Sequence, residues 1–169
     1  MHPNCEAVNH ILEAAGMPGR VRMLDEAVTT ARAAAQQVGC PVGAIANSLI
    51  FETFITASVD MREQLREEVA GTPLLIMTSG AHRVDMIKIG EHLGVQLHRA
   101  SPAFVREHTG QPIGGVAPVG HPKRIHTIID RALAKFDELW AAGGIPQAVF
   151  PLTYDELRML TGGDEADVG

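Results

Sequence analysis

The chain has 169 residues, of which 46% are apolar, 20% charged and only 4% aromatic, and its formal net charge is −6. That length fits one domain, of the size that buries roughly 70% of the surface its unfolded chain exposes. Ordinary apolar content with modest charge excludes disorder, no apolar run approaches the roughly 18 residues of a membrane span, and the acidic balance argues against broad, nonspecific nucleic-acid binding.

The opening MHPNCEAVNHILEAAG has no basic flank and no sustained apolar run, so it does not read as a secretory signal. Asn4 is placed to cap a helix carrying Val8, Ile11, Leu12 and Ala15 on one stripe, closed by Gly16. This makes residues 1–20 a helical extension. Val21 to Leu24 follows as a short strand. Thr29 or Thr30 caps an alanine-rich helix through Val38 that stops at Gly39. A helical turn around Gly43 to Asn47 leads into a strand from Ser48 to Ile55. Asp60 opens an acidic helix with Met61, Leu65 and Val69 on one face, ended by Gly71 and Pro73.

Leu74 to Thr78 reads as a compact buried strand, Arg83 to Leu93 as a helix capped by Gly94, and Val95 to Arg99 as a strand. Ser101-Pro102 starts a helix that stops at Thr109-Gly110. Gln111 to His121 is a loop rich in glycine and proline. Ile125 to Ile129 is strand, and Asp130 caps a helical turn to Phe136. Glu138 to Ala142 and Gln147 to Leu152 are two strands around Gly143-Gly144. Thr153 and Glu156 form a capping box for a last helix seated on Leu157 and Leu160. Residues 164–169 read as a frayed tail. The elements interleave without a regular βαβ rhythm, which favours a single α/β (α+β) domain with a mixed sheet surrounded by helices.

The chemistry is sparse. Cys5 and Cys40 have no metal or redox spacing, and two thiols without an export signal fit a reducing cytoplasm. Cys40 follows a helix C-terminus, where the dipole opposes thiolate formation. The pairs His92/His98 and His121/His126 lack a third ligand at metal spacing, so no metal is expected. P-loop, GxGxxG, HExxH and GxSxG motifs are all missing. Triad partners that meet only in space remain open. The loop from Gly114 to Gly120 is either a surface turn that needs glycine torsions or a ligand loop whose backbone N–H groups hold a carbonyl or oxyanion. Lys123, Arg124, Arg131 and Lys135 face only Asp130 in the segment 121–136, a basic stretch in an acidic chain. It is either solvated surface or a local phosphate contact.

Several blocks together resemble a known family. GAIANSLIF (Gly43 to Phe51) is similar to the "IxKSL(V/I)F" segment of the YbaK-type aminoacyl-tRNA deacylases, relatives of the editing domain inserted in bacterial prolyl-tRNA synthetase. SGAHRVDMIKIGEHLG (Ser79 to Gly94) resembles "GxxRVDxxKLAxxLG", and ASPAFVREHTGQPIGGVAPVGH (Ala100 to His121) resembles "ASPEEVxExTGxxxGGVSPxGH". The segments from Arg124 to Gly144 and Ala148 to Gly163 continue the match in order.

The resemblance implies one domain with a curved mixed sheet. It implies hydrolysis, without metal or organic cofactor, of the ester between a wrong amino acid and the terminal adenosine of a tRNA. The 3′ end of aminoacylated tRNA is the implied partner, proline tRNA being one candidate, with a synthetase as a further partner. Gly114 to Pro118 would be the family's GxxxP loop. Asn47, Gly114 and Gly115 then stand at the catalytic positions. Ser48, Gly80, Lys88, Val116, Ala117, Pro118, His121 and Asp130 stand at substrate positions, and Asp85 is also family-patterned. Lys123, Arg124 and Arg131 would meet the tRNA. The low aromatic content suggests an aliphatic pocket for a small amino acid such as alanine, serine or cysteine.

Two departures bear on activity. Asn47 replaces the usual lysine, and asparagine hydrogen-bonds without charge. Ala117 replaces a commoner serine or proline. The alternatives are therefore a non-catalytic member that binds tRNA or a synthetase, disabled by Asn47, or a hydrolase of another small ester or amide.

Overall fold

The computed structural model describes residues 1–55 and 71–169; the helix expected from Asp60 through Val69 lies outside the described residues. Among the described residues five α-helices surround the sheet: α1 (Pro3–Ala14), α2 (Ala31–Val38), α3 (Met86–Leu93), α4 (Pro102–Thr109) and α5 (Tyr154–Thr161). The strands are β1 (Arg22–Met23), β2 (Ile45–Ile55), β3 (Thr72–Ser79), β4 (Val95–Arg99), β5 (His126–Asp130), β6 (Leu139–Ala142), β7 (Ala148–Leu152) and β8 (Asp164–Ala166). They form one mixed sheet in the order β1-β7-β6-β2-β3-β5-β8, with β4 paired to β2 off that path. Pairs β2–β6, β3–β5 and β5–β8 are parallel and the others antiparallel. No helix among the described residues is long and apolar enough to cross a membrane.

Strand alternation divides the core. Ala46, Ile50, Leu75, Met77, Ile129 and Phe150 turn to one face, where α1, α4 and α5 cover them. On the other face Ile45, Trp140 and Val149 meet Ala34 and Ala35 of α2. Further along that face, Phe51, Ile76 and Ile128 meet Ile89 of α3. β3 lies between β2 and β5 and is buried from Leu74 to Ser79, so it carries an unbroken apolar run, Leu74 to Met77, rather than an alternation.

Some sequence expectations shift. The helical turn before β2 is a 3-10 turn of only three residues, Val42–Ala44, so Asn47 lies inside the strand and not at the end of a helix. Ile45 and Ala46 are drawn into the ladder by β6. His2, not Asn4, caps α1; the Asn4 amide instead donates to the Gly144 carbonyl at 3.0 Å. Because Cys5, Val8 and Leu12 are fully buried, α1 is part of the main core and no mere extension. α3 starts at Met86 rather than Arg83, because the Asp85 side chain accepts from the Lys88 N–H and fixes the boundary there.

The tail does not fray. Asp164–Ala166 is strand β8 on β5, Val168 is fully buried, and the Asp85 N–H donates to the Val168 carbonyl at 2.7 Å. Acidic composition hid the one apolar anchor that docks this segment.

Candidate active site

β2 pairs with β6 only through Ile45 and Ala46, and β4 joins it only from Phe51. On that edge residues 47–50 face no strand, and the gap opens into a cleft of about 140 Å³. Ala46 to Leu49 border it on β2, and Trp140 to Ala142 on β6. The segment from Val28 to Ala31, with Ala34, Ile45, Pro146, Ala148, Val149 and the loop residues Ile113, Gly114 and Val116, completes the lining. No charged side chain lines it among the described residues. Of its polar side chains, the Ser48 hydroxyl is turned to Met77 Sδ at 3.2 Å, and Thr30 Oγ1 caps the Ala33 N–H at 3.1 Å. Asn47 borders the cleft with no hydrogen-bond partner for its amide among the described residues. A half-buried amide without an internal partner is available to a ligand.

The glycine loop presents a selected pair of donors. Pro118 has no N–H. The Gly115 N–H donates to the Pro112 carbonyl at 2.9 Å, and the Ala117 N–H donates to Gln111 Oε1 at 2.7 Å. Within Gly114 to Pro118 that leaves the N–H groups of Gly114 and Val116, both cleft-lining residues, with no acceptor among the described residues. Two such donors beside an apolar cleft are what a developing oxyanion requires.

The loop is braced from behind. Gln111 is 2% exposed and uses its amide twice: Oε1 accepts from Ala117, and Nε2 donates to the Val119 carbonyl at 3.2 Å. His121 Nε2 lies 2.8 Å from the Ala117 carbonyl, so it carries the proton and donates; burial pushes the His121 pKa down. Gly114 has φ +87°, a torsion that side chains with a Cβ rarely adopt. At Gly115 the obstacle is space: a Cβ there would lie 2.5 Å from Ile145 Cα.

Of the residues singled out in the sequence, Asn47, Ser48, Gly114 and Val116 meet at this cleft. Gly115, Ala117 and Pro118 are buried within the loop, and His121 supports it. Gly80 lies where a Cβ would come within 2.5 Å of the Val42 carbonyl, so it lets the β3 end pack against the turn before β2. Asp130 is 1% exposed and accepts from the Ser79 N–H at 2.9 Å, the Ala132 N–H at 3.0 Å and His82 Nδ1 at 2.9 Å. These bonds satisfy a buried carboxylate that would otherwise be costly. It borders a separate groove with Lys88 and Arg131, away from the cleft lining.

The basic segment is split. Lys123 and Arg124 precede β5, while Arg131 and Lys135 follow it, about 17 Å further along an extended strand. Arg124 donates to the Thr161 carbonyl at 3.1 Å at the end of α5, and Arg131 pairs with Asp167 at 3.5 Å. Sequence reading missed Gln111, whose role depends on a side chain folding back six residues. It also missed Trp140 and Thr29, which reach the cleft only through the sheet order.

A family model described as an aminoacyl-tRNA editing domain matches residues 25–160. The uncharacterized protein YwhH of Bacillus subtilis (strain 168) is 30% identical over 128 residues, 76% of this chain and 72% of that protein. Among solved structures, a candidate trans-editing enzyme for prolyl-tRNA synthetase is 38% identical with a TM-score of 0.84, over 99% of this chain and 98% of the other. The hypothetical protein APE2540 is 26% identical with a TM-score of 0.79, over 96% and 98%.

Proposed function

Since the chain belongs to the aminoacyl-tRNA editing domain family, we propose that it hydrolyses the ester of mischarged tRNA in trans, with the amino acid seated in the cleft beside Asn47. The observation that carries this reading is the convergence of one unpartnered amide, two unpartnered backbone N–H groups and an apolar lining at a gap in the sheet. The limited volume and the walls formed by Val28, Ala34, Trp140 and Val149 favour a small amino acid.

An aminoacyl ester is already activated, so the protein's task is to position and to stabilise charge. Water adds to the ester carbonyl carbon, and the carbonyl oxygen becomes the oxyanion held by the Gly114 and Val116 N–H groups. The Asn47 amide orients the ester or the ribose. On collapse, the bond from carbonyl carbon to ribose oxygen breaks, and the ribose oxygen takes the proton that the attacking water gave up. The products are free amino acid and uncharged tRNA.

The test is hydrolysis of a panel of mischarged tRNAs. Asn47→Ala is expected to slow turnover up to roughly tenfold, the value of one neutral hydrogen bond of about 0.5–1.5 kcal/mol. Strong activity indifferent to that change removes Asn47 from the mechanism. The neutral side chain at this position favours a second reading, a non-catalytic tRNA-binding member. On that reading wild type is inert across the panel, and Asn47→Lys restores hydrolysis.

Binding of tRNA makes a separate expectation. Lys123 is exposed, and Lys123→Glu should weaken tRNA binding and make the logarithmic salt dependence shallower by about one unit for each phosphate that the lysine neutralises. An unchanged slope in a filter-binding series assigns Lys123 to solvated surface. Arg124 is a poorer probe, because its reversal also removes the bond to the Thr161 carbonyl.

A further inference from the structure

Resting on the deacylase reading, we infer that Arg22 is a phosphate-binding group at the rim of the cleft, placed to take the phosphodiester 5′ to the ester-bearing nucleotide. A tRNA end brings negative charge to this cleft, and among the described residues the lining supplies no cation. Arg22 stands beside it by two independent contacts. It is the ladder partner of Val149 on β7, and its Cζ lies 5.2 Å from the centre of the Trp140 ring. Val149 and Trp140 both line the cleft.

The state of this guanidinium is what a phosphate site needs. Arg20 is committed to Glu156 at 2.7 Å, Arg131 to Asp167 and Arg158 to Glu165. Arg22 is exposed and forms no ion pair among the described residues. Its place over the Trp140 ring restrains the guanidinium, and its N–H groups have no hydrogen-bond acceptor among the described residues. Those groups match two phosphate oxygens at once, and a side chain already restrained loses less entropy on binding.

The experiment compares adenosine 5′-monophosphate with adenosine by calorimetric or NMR titration of the full chain. Wild type should bind the monophosphate roughly tenfold more tightly, the size of one charged hydrogen bond. Arg22→Gln should abolish that preference, Arg22→Lys should retain part of it, and Arg106→Gln, an exposed change on α4, should match wild type. With mischarged tRNA, Arg22→Gln should raise KM with kcat unchanged, the pattern of a contact made equally in ground and transition states. The inference is overturned if wild type does not bind the monophosphate, binds it no better than adenosine, or keeps the preference in Arg22→Gln. A preference that depends on Arg22 in a wild type that hydrolyses no mischarged tRNA upholds the phosphate site and removes the deacylase reading instead.

Discussion

Gly115→Val is expected to reduce deacylation at least about 100-fold, the effect of losing an oxyanion donor, and to lower Tm as well. A Cβ at Gly115 meets three backbone atoms, Ile145 Cα and C at 2.5 Å and Pro146 N at 2.7 Å. Backbone cannot rotate aside as a side-chain tip can, so the loop must move away from 145–146. Overpacking of this kind costs about 1–3 kcal/mol, which in a chain of this length shifts Tm by roughly 2–10 °C. Moving the loop also displaces the neighbouring N–H groups of Gly114 and Val116. Gly114→Ala separates the two effects, because a Cβ there has ordinary room, 3.6 Å from Thr29 Cγ2, and only the +87° torsion resists it. A milder loss of activity is expected at Gly114. Equal kcat on the folded fraction for wild type and Gly115→Val would show that the loop does not set the rate.

Gln111→Met should also damage turnover, through a residue outside the cleft lining. Methionine matches the volume but leaves the Ala117 N–H and the Val119 carbonyl without their partner in a buried loop. Each unsatisfied group costs about 1–3 kcal/mol. The expected outcome is a fall in kcat of roughly tenfold or more per folded molecule, with the Ala117 amide exchanging faster with solvent while β3 amides stay protected. Gln111→Glu keeps the acceptor for Ala117 and should recover part of kcat. If exchange at Ala117 is unchanged in Gln111→Met, the glutamine does not brace the loop.

These two residues mark the limit of what could be read from the amino-acid order alone. Apart from the starts of α1 and α3, helix boundaries were legible because their signals are local. Thr30 and Ser101 cap α2 and α4, the box Thr153 with Glu156 starts α5, and Gly39 and Gly94 close α2 and α3. The loop was legible as an anomaly, since few other reasons gather so many glycines and prolines. The gap between β6 and β4 was not, because it depends on which strands lie beside β2, and neither pairing is local in sequence. For the same reason four basic residues close in sequence read as one patch, although β5 carries them apart. Gln111 gave no signal, because a buried glutamine and an exposed one are the same letter until the partner atoms are placed.

The strand pairing that builds the cleft also governs when it can exist. Val28 donates to the Pro146 carbonyl, Arg22 pairs with Val149, and Ile45 lies beside Trp140. One wall is therefore made within the first third of synthesis and its counterpart near the end. Pairings so distant along the chain are slow to close, because loop entropy is lost before contacts repay it. At about 5–20 residues per second, a ribosome has translated β2 several seconds before β6 and β7 emerge. During that interval the cleft-side edge of β2 has no β6 beside it, open to intermolecular strand pairing. A chain arrested between Gly120 and Val149 carries Asn47 and the glycine loop yet lacks the β7 wall of the pocket, so the loss of editing in such truncations is expected to be complete rather than graded.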